Sequence, residues 1–499
     1  MARKYGIKWW QMEREGQEES QVGVPERPGG RRRIPLAPVV FAACLLIYLI
    51  LFLAVPVGKG LKTRTMGDEP HYLVVTESIL KDGDLSLLNN YEARDYQKSG
   101  YYEKYVLTPH VVFGRNNRVV PVGQVLLSLV ILPGFALAGW RGAGITMILF
   151  MSASAVFVFL ILSRFVSARM SALVTLFFFL TYPLLLYSHL IYPEVPALLL
   201  VSAGTWSALK AMDGKGDSYL LLAGFCAALL PQLHVKFLTL TLGLTLLAVL
   251  AAWRRPRGLA LYFLPLAASV VVLVLLTRHM YGPNLIRGLT VVGGKKGFWG
   301  KDSPWGVFGL YLDRSWGLLP FAPLYLALFS GLPLPGKRPE LRAWWVFIPV
   351  TILVQTVVSG CFREWHGGAA PVPRYLVTLI PLFIICAAVT ISGARHLYTR
   401  VVIGALAVFQ LVLTVLARIT PAATLGLPTE KNELYHYFLG DWLASRLERV
   451  FPLLHPVSPR SIVLVFLWVA FIAAIIYCRR LYLDSLPGEA LSGRRASFS

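Results

Sequence analysis

The chain has 499 residues with 48 Lys and Arg against 26 Asp and Glu, a formal net charge of +22, and it is 56% apolar but only 15% charged. Soluble domains carry about 25% charged residues, so a water-soluble globular protein is excluded, and so apolar a composition excludes a disordered polymer too. The apolar residues gather in runs of about twenty, the length that crosses a hydrocarbon core. The fold class is therefore an all-α polytopic membrane protein.

The first 34 residues are mostly polar and end in Arg31-Arg32-Arg33. The apolar run at 35–57 that follows is too long for the core of a cleaved signal and reads as a retained first helix. After it comes a long loop, 58–118, expected to contain short helices. Further runs stand at 119–163, 169–187, 195–210, 219–233, 237–252, 259–278, 316–333, 342–360, 375–392, 398–417 and 460–478, which predicts about twelve crossings, within a range of 11 to 13. The stretch 119–163 is too long for one helix and is interrupted by Pro133, Gly134 and Trp140-Arg141-Gly142, so it is expected to make one crossing plus a shallow or re-entrant piece.

Short connections carry Arg164/Arg169, Lys210/Lys215, Arg254/Arg255/Arg257, Lys337/Arg338/Arg342 and Arg395/Arg400, and the tail begins Arg479-Arg480. With twelve crossings all of these fall on one side together with both termini, which the Lys/Arg bias assigns to the cytoplasm. The expected organisation is a cytoplasmic segment 1–34, a membrane domain 35–478 that includes the loop 58–118, and a cytoplasmic tail 479–499, in what is expected to be the cell membrane. Basic residues scattered over many connections do not form the concentrated face that a nucleic-acid partner needs. The five cysteines, Cys44, Cys226, Cys361, Cys386 and Cys478, show no metal-ligand spacing and read as packing residues.

Candidate chemistry lies on the opposite face. The first loop contains Gly67-Asp68-Glu69-Pro70-His71-Tyr72, and adjacent carboxylates at a helix start can act as general base, bind metal or cap free backbone N–H groups. Spacing alone does not choose among these. Two short connections place Glu194, in Tyr192-Pro193-Glu194, and His234-Val235-Lys236 against apolar segments, where an ionised group is costly unless it is paired, snorkels or faces a wet cavity. Asp313-Arg314-Ser315-Trp316 precedes one later run, and Arg363-Glu364-Trp365-His366-Gly367-Gly368 leads to Pro373-Arg374-Tyr375-Leu376 before another. Such aromatics form an interfacial belt by default, yet an aromatic beside Arg and Gly-Gly also suits a pocket where a sugar ring stacks and a guanidinium grips phosphate. The run Gly293-Gly294-Lys295-Lys296-Gly297 lacks the spacing of a nucleotide loop, and the histidines show no HExxH or i, i+4 pairing that would mark a zinc site.

Taken in order over roughly 35–400, these strings resemble the GT-C superfamily of integral-membrane glycosyltransferases, in particular the group of protein O-mannosyltransferases and the aminoarabinose transferase of lipid A. The resemblance implies sugar transfer from a polyprenyl-phosphate donor to an acceptor hydroxyl on the extracytoplasmic face, with membrane lipid as partner and the acceptor unspecified. It implies Asp68 and Glu69 as catalytic residues, and the chemistry of such a transfer would make Asp68 the base, let Glu69 or Glu194 orient sugar or acceptor, and give the phosphate to Lys236 and Arg374 with His234 or Arg363. His71, Tyr72, Asp313, Arg314 and Tyr375 complete the expected substrate-binding set. The superfamily has metal-dependent and metal-independent members, so no cofactor is specified. A transporter or lipid flippase, and a non-catalytic subunit of an envelope-assembly complex in which Asp68 and Glu69 merely cap a helix, stay open as alternatives.

Overall fold

The structure, a computed structural model, describes residues 35–54, 65–103, 105–283, 303–332, 342–425 and 430–484. The expected N-terminal segment 1–34, the glycine-rich run 293–297, the basic pair Lys337/Arg338 and the tail beyond 484 lie outside the described residues.

The first apolar run forms α1, Leu36–Ala54. The outer loop then folds into α2, Glu69–Lys81, two short helices α3, Leu88–Glu92, and α4, Asp95–Lys98, and an antiparallel hairpin of β1, Val111–Phe113, with β2, Val119–Pro121, in which Val112 stands opposite Val120. Pro70 suits the start of α2, where the missing N–H is not needed. Inside the loop the buried Glu77 carboxylate accepts Lys81 Nζ at 2.5 Å and Tyr101 OH at 2.9 Å, with Ser99 Oγ donating as well, which knits α2 to the segment after α4. The short helices match expectation. The expected span start at 119 does not: Val119–Pro121 pairs as a strand.

The next helix, α5, Leu126–Leu162, holds the long apolar stretch and is broken at Ala138 (φ −146°, ψ 27°) and Gly139 (φ 57°, ψ −144°). Across this break the chain doubles back. A methyl group added at Gly134 would lie 2.5 Å from the Gly142 carbonyl oxygen, so two glycines eight positions apart touch at the crossing of a helical hairpin. The piece before the break is roughly 18 Å long and the piece after it roughly 34 Å, so only the second can traverse a hydrocarbon core of about 30 Å.

The chain continues through α6, Ala168–Phe179, α7, Leu184–Tyr187, α8, Glu194–Met212, α9, Ser218–Leu233, α10, Leu238–Ala252, and α11, Pro256–Tyr281. It then forms α12, Ser303–Leu312, α13, Leu318–Phe321, α14, Ala327–Gly331, α15, Arg342–Gly360, α16, Ile380–Gly393, α17, Leu397–Ile419, α18, Glu433–Glu448, and α19, Pro459–Asp484. Among the described residues nine helices are long and apolar enough to cross a membrane, and α6 and α9 are shorter apolar helices. The arrangement is that of an all-α multi-pass membrane protein.

Two expected spans are broken. Over 169–187 the helix stops at Phe179, and over 316–333 the prolines Pro320 and Pro323 split the chain into short pieces, since proline cannot donate to a continuing helix. Broken backbone at membrane depth must find partners inside the protein. Gln410 of α17, wholly buried, accepts the Leu324 N–H at 3.1 Å and donates to Thr181 Oγ1 at 3.0 Å and Tyr182 O at 3.3 Å, while Thr414 one turn on accepts the Tyr182 N–H at 2.9 Å. One face of α17 therefore satisfies both breaks.

The helix α8 packs against α5, α9 and α10, and α9 also packs on α11. In the apolar windows of α8 and of the segment Arg374–Gly393, 72% of residues are buried, against 11% for α11 and α19, so the first two are central and the last two present apolar flanks to lipid. Two of the charged residues described next, Glu194 and Arg374, open these central elements.

Candidate active site

Asp68 sits at the position before α2 where a carboxylate usually caps a helix, yet its side chain makes no capping bond. Its Oδ2 lies 2.7 Å from Arg374 Nη1 instead. Arg374 begins the 3₁₀ segment leading into α16, and its Nε donates to Glu194 Oε1 at 2.8 Å. Glu194 opens α8, and the same Oε1 accepts Lys236 Nζ at 2.6 Å from the turn before α10. Four charged side chains from four distant stretches thus form one chain, Asp68–Arg374–Glu194–Lys236, with two positive and two negative charges.

Exposure grades along this chain. The Asp68 side chain is 34% exposed, Lys236 15%, Arg374 9% and Glu194 0%, so Asp68 faces the opening and Glu194 forms the floor. Aromatic rings wall it: Arg374 lies 4.5 Å from the Tyr192 ring centroid and Lys236 4.9 Å from that of Tyr375. Arg374 Nη1 also donates to Gly367 O at 3.4 Å, which draws the Gly-Gly turn over the guanidinium. Nη2 of Arg374 and the other N–H groups of Lys236 have no hydrogen-bond acceptor among the described residues.

Electrostatics follows from this arrangement. Burial by itself would raise the Asp68 carboxyl, but the Arg374 guanidinium at its side, with His110 and Lys236 beyond, holds it down at about 2. Glu69 behaves oppositely although it is the next residue. Burial pushes it up to about 7, against the pull of the Ile191 N–H on Oε1 at 2.8 Å and the Met66 N–H on Oε2 at 2.9 Å, with the Asp68 charge adding to the rise. Its carboxyl ties the start of α2 to the turn before α8.

Glu69 in the folded chain keeps its proton up to about pH 7, whereas its ordinary value is 4.5, so between these the native state binds more protons and stability falls as pH rises. The Tm of Glu69→Gln measured against that of the parent should therefore gain on it from about pH 4.5 to pH 7 and run parallel above. A difference flat across that window would reject the assignment.

The backbone here is built on a tight turn. Gly67 has φ +56°, and a methyl group on it would collide with Tyr192 OH and lie 2.6 Å from Ala369 O. Tyr192 OH itself donates to Met66 O at 3.1 Å, so the turn that aims Asp68 is clamped between two other strands of the site. Gly67→Ala is expected to cost about 1–3 kcal/mol in unfolding experiments and to swing Asp68 off Arg374; an unchanged Tm would contradict this.

The other expected residues divide. Tyr72 is half-buried beside the chain of charges, and His71, also near Asp68, meets Tyr91 OH through Nδ1 at 2.9 Å. His234 accepts the Lys236 N–H on Nδ1 at 3.1 Å, so it shapes the turn that presents Lys236, and burial together with the Lys236 charge lowers it to about 3, leaving the ring neutral. Arg363 is exposed on the turn after α15. Asp313 and Arg314 do not join the cluster. Asp313 Oδ1 accepts the Ser315 and Trp316 N–H groups at 2.8 and 3.1 Å and Oδ2 the Leu454 N–H at 2.7 Å, while Arg314 lies 3.9 Å from Glu448. These bonds pin the segment after α18 to the head of α13.

Two neighbours escaped the sequence reading. Tyr192 is the aromatic floor under Arg374, and its place two residues before Glu194 was the available signal. His110, whose ring lies 5.2 Å from that of His71, comes from the loop before β1, and nothing local marks it. Among the described residues no three His, Cys, Asp or Glu side chains converge as metal ligands, and the carboxylates Asp68 and Glu194 are already engaged by cations, so the residues present do not fit a resident divalent ion.

The fold and this cluster define a multi-pass membrane protein with a charge-balanced network of side chains at helix ends. No family model matches the chain, and no curated protein matches it. Two crystal structures of ArnT from Cupriavidus metallidurans are similar to it, one bound to undecaprenyl phosphate and one in the apo state. Each is 14% identical over 89% of this chain, covering 77% and 76% of the ArnT chain with TM-scores of 0.47 and 0.48.

Proposed function

We propose that the protein is a membrane glycosyltransferase that moves a sugar from a polyprenyl-phosphate donor to an acceptor hydroxyl on the extracytoplasmic face, both termini lying in the cytoplasm. The observation that carries this is the Asp68–Arg374–Glu194–Lys236 chain: one carboxylate at the opening, with cations behind it that have donors to spare. Transfer requires a base for the acceptor proton and fixed positive charge for the phosphate that departs. Asp68 is the base. Arg374 and Lys236 take the phosphate, and Glu194 sets their spacing from beneath.

Proton and charge balance in such a step. The acceptor oxygen attacks the anomeric carbon as its proton passes to Asp68, the carbon–oxygen bond to the carrier phosphate breaks, and the phosphate keeps the electron pair. Direct displacement by one base favours inversion. In a cell membrane the donor's prenyl chain would remain in lipid while its head group entered the chamber.

The purified full-length chain in lipid nanodiscs, given polyprenyl-phosphate sugars and hydroxyl acceptors, should convert the carrier to free polyprenyl phosphate. Vesicle uptake without such conversion would favour transport. The flippase alternative lacks support in the charge placement, because the charged chain stands at helix ends rather than along a path between them. A pure capping role for Asp68 is disfavoured by its missing cap bond.

A further inference from the structure

A cavity lies against Glu69. It is lined by Glu69, His189 and Arg418 among polar groups and by Phe52 and Trp140 among apolar ones. Arg418 closes the last turn of α17, and that end of α17 is tied to the chamber's own turn, since Thr424 O accepts the Val372 N–H at 3.0 Å. Arg418 Nη2 donates to Leu51 O at 2.8 Å, in the last turn of α1, and no carboxylate among the described residues pairs with it. That sets it apart from Lys236 and Arg374, which have acid partners. A guanidinium carries five N–H donors, and a half-buried one at a helix end is costly unless something anionic or wet meets it.

The second polar wall is His189. Burial first, and the Arg418 charge after it, lower this ring to about 4, so it stands neutral, and with Nδ1 at 3.5 Å from Ser188 Oγ the ring nitrogen left to donate to a ligand is Nε2. The Phe52 ring packs at 5.2 Å from it and fixes its plane. Glu69 would repel an anion if ionised, but both its oxygens are turned onto backbone N–H groups and it shares its proton near neutral pH. Arg and a neutral imidazole converging on a small cavity with an apolar rim match a tetrahedral oxyanion.

We propose that this cavity is a second oxyanion subsite, which holds a phosphate group between Arg418 and His189. This goes beyond the transfer reading and stands apart from it, because it needs neither Asp68 nor a sugar. The phosphate could belong to a lipid head group or be free in solution, and the test separates the two.

The full chain is placed in phosphatidylcholine nanodiscs with or without phosphatidic acid, and retained lipid is counted by native mass spectrometry. In a parallel arm inorganic phosphate is titrated while Tm is followed. Preferential retention of phosphatidic acid identifies the source as lipid, a Tm rise with inorganic phosphate alone identifies free phosphate, and either must weaken by about tenfold in Arg418→Gln and His189→Gln. Arg418→Lys should keep most of the binding. Should Arg418→Gln fail to fold, His189→Gln and Arg418→Lys carry the comparison. No preference in the parent chain overturns the proposal, as does equal binding by the variants. Binding lost in Lys236→Gln but kept in Arg418→Gln also overturns it, because the phosphate then sits in the Asp68 chamber.

Discussion

Asp68→Asn is expected to slow sugar transfer by roughly 10²- to 10⁴-fold, the usual contribution of a positioned general base, while the chain still inserts and folds. Asparagine fills the same space and can still accept a hydrogen bond from Arg374, but it cannot take a proton. The ground state poses a difficulty that the geometry resolves. With its carboxyl held at about 2 by Arg374, Asp68 is a poor base in the free protein. A donor phosphate arriving at Arg374 and Lys236 competes for the same guanidinium, and each hydrogen bond it takes from Asp68 lets that carboxyl drift upward toward its ordinary range. Donor binding then activates the base, which ties proton transfer to the presence of a leaving group.

In Asp68→Asn the Arg374 guanidinium is freed from one carboxylate, so the donor should bind as tightly as before or tighter while turnover collapses. Binding and turnover are measured separately, by donor retention and by release of polyprenyl phosphate under saturating donor. Turnover within tenfold of the parent would remove Asp68 from the base role. Loss of donor binding in step with turnover would show that Asp68 positions the donor instead.

Much of this chamber was legible in the sequence for one reason. A charge at the end of an apolar run is expensive, so Asp68, Glu194, Lys236 and Arg374 each stood out where an equal charge in a soluble loop would not. Their pairing was not legible, because it depends on which helix ends meet, and nothing local encodes that. Arg363 and Arg374 looked alike on paper; only one lies on a central element with Glu194 in reach. Glu69 and Asp68 were read as a pair, whereas one turn of backbone sends their side chains to opposite sides of the same wall. Asp313 was read as part of the site because an aspartate before a tryptophan-rich helix start suits either a sugar or a turn, and here it serves a turn. The broken spans misled for a related reason. Hydropathy sees Tyr182-Pro183 and Pro320 within apolar runs, but it cannot see that Gln410 supplies the bonds that make those breaks tolerable.

Glu194→Gln should be the most destabilising of the conservative changes at this site, by about 3–5 kcal/mol, because it strips the negative charge from between two cations, which leaves Lys236 with no acid partner and Arg374 with Asp68 alone in a buried setting. Glu194 has no exposed surface, and its Oε1 receives both Lys236 Nζ and Arg374 Nε. Its Oε2 is buried without a hydrogen-bond partner in the described structure, so the residue's value lies in charge rather than in a saturated bond network. The amide keeps the volume and one acceptor, which confines the effect to electrostatics. Adding Lys236→Met to Glu194→Gln removes one of the stranded cations and should recover part of the loss, and the cycle of single and double variants measures the coupling. The double variant should be inactive, since Met cannot hold a phosphate, so recovery of Tm without recovery of turnover separates the scaffold role of Glu194 from the catalytic role of the cations. A Glu194→Gln chain as stable as the parent would mean that Arg374 and Lys236 are already neutralised by water or ions, and the chamber would then be a solvated surface cleft rather than the preorganised cradle that transfer demands.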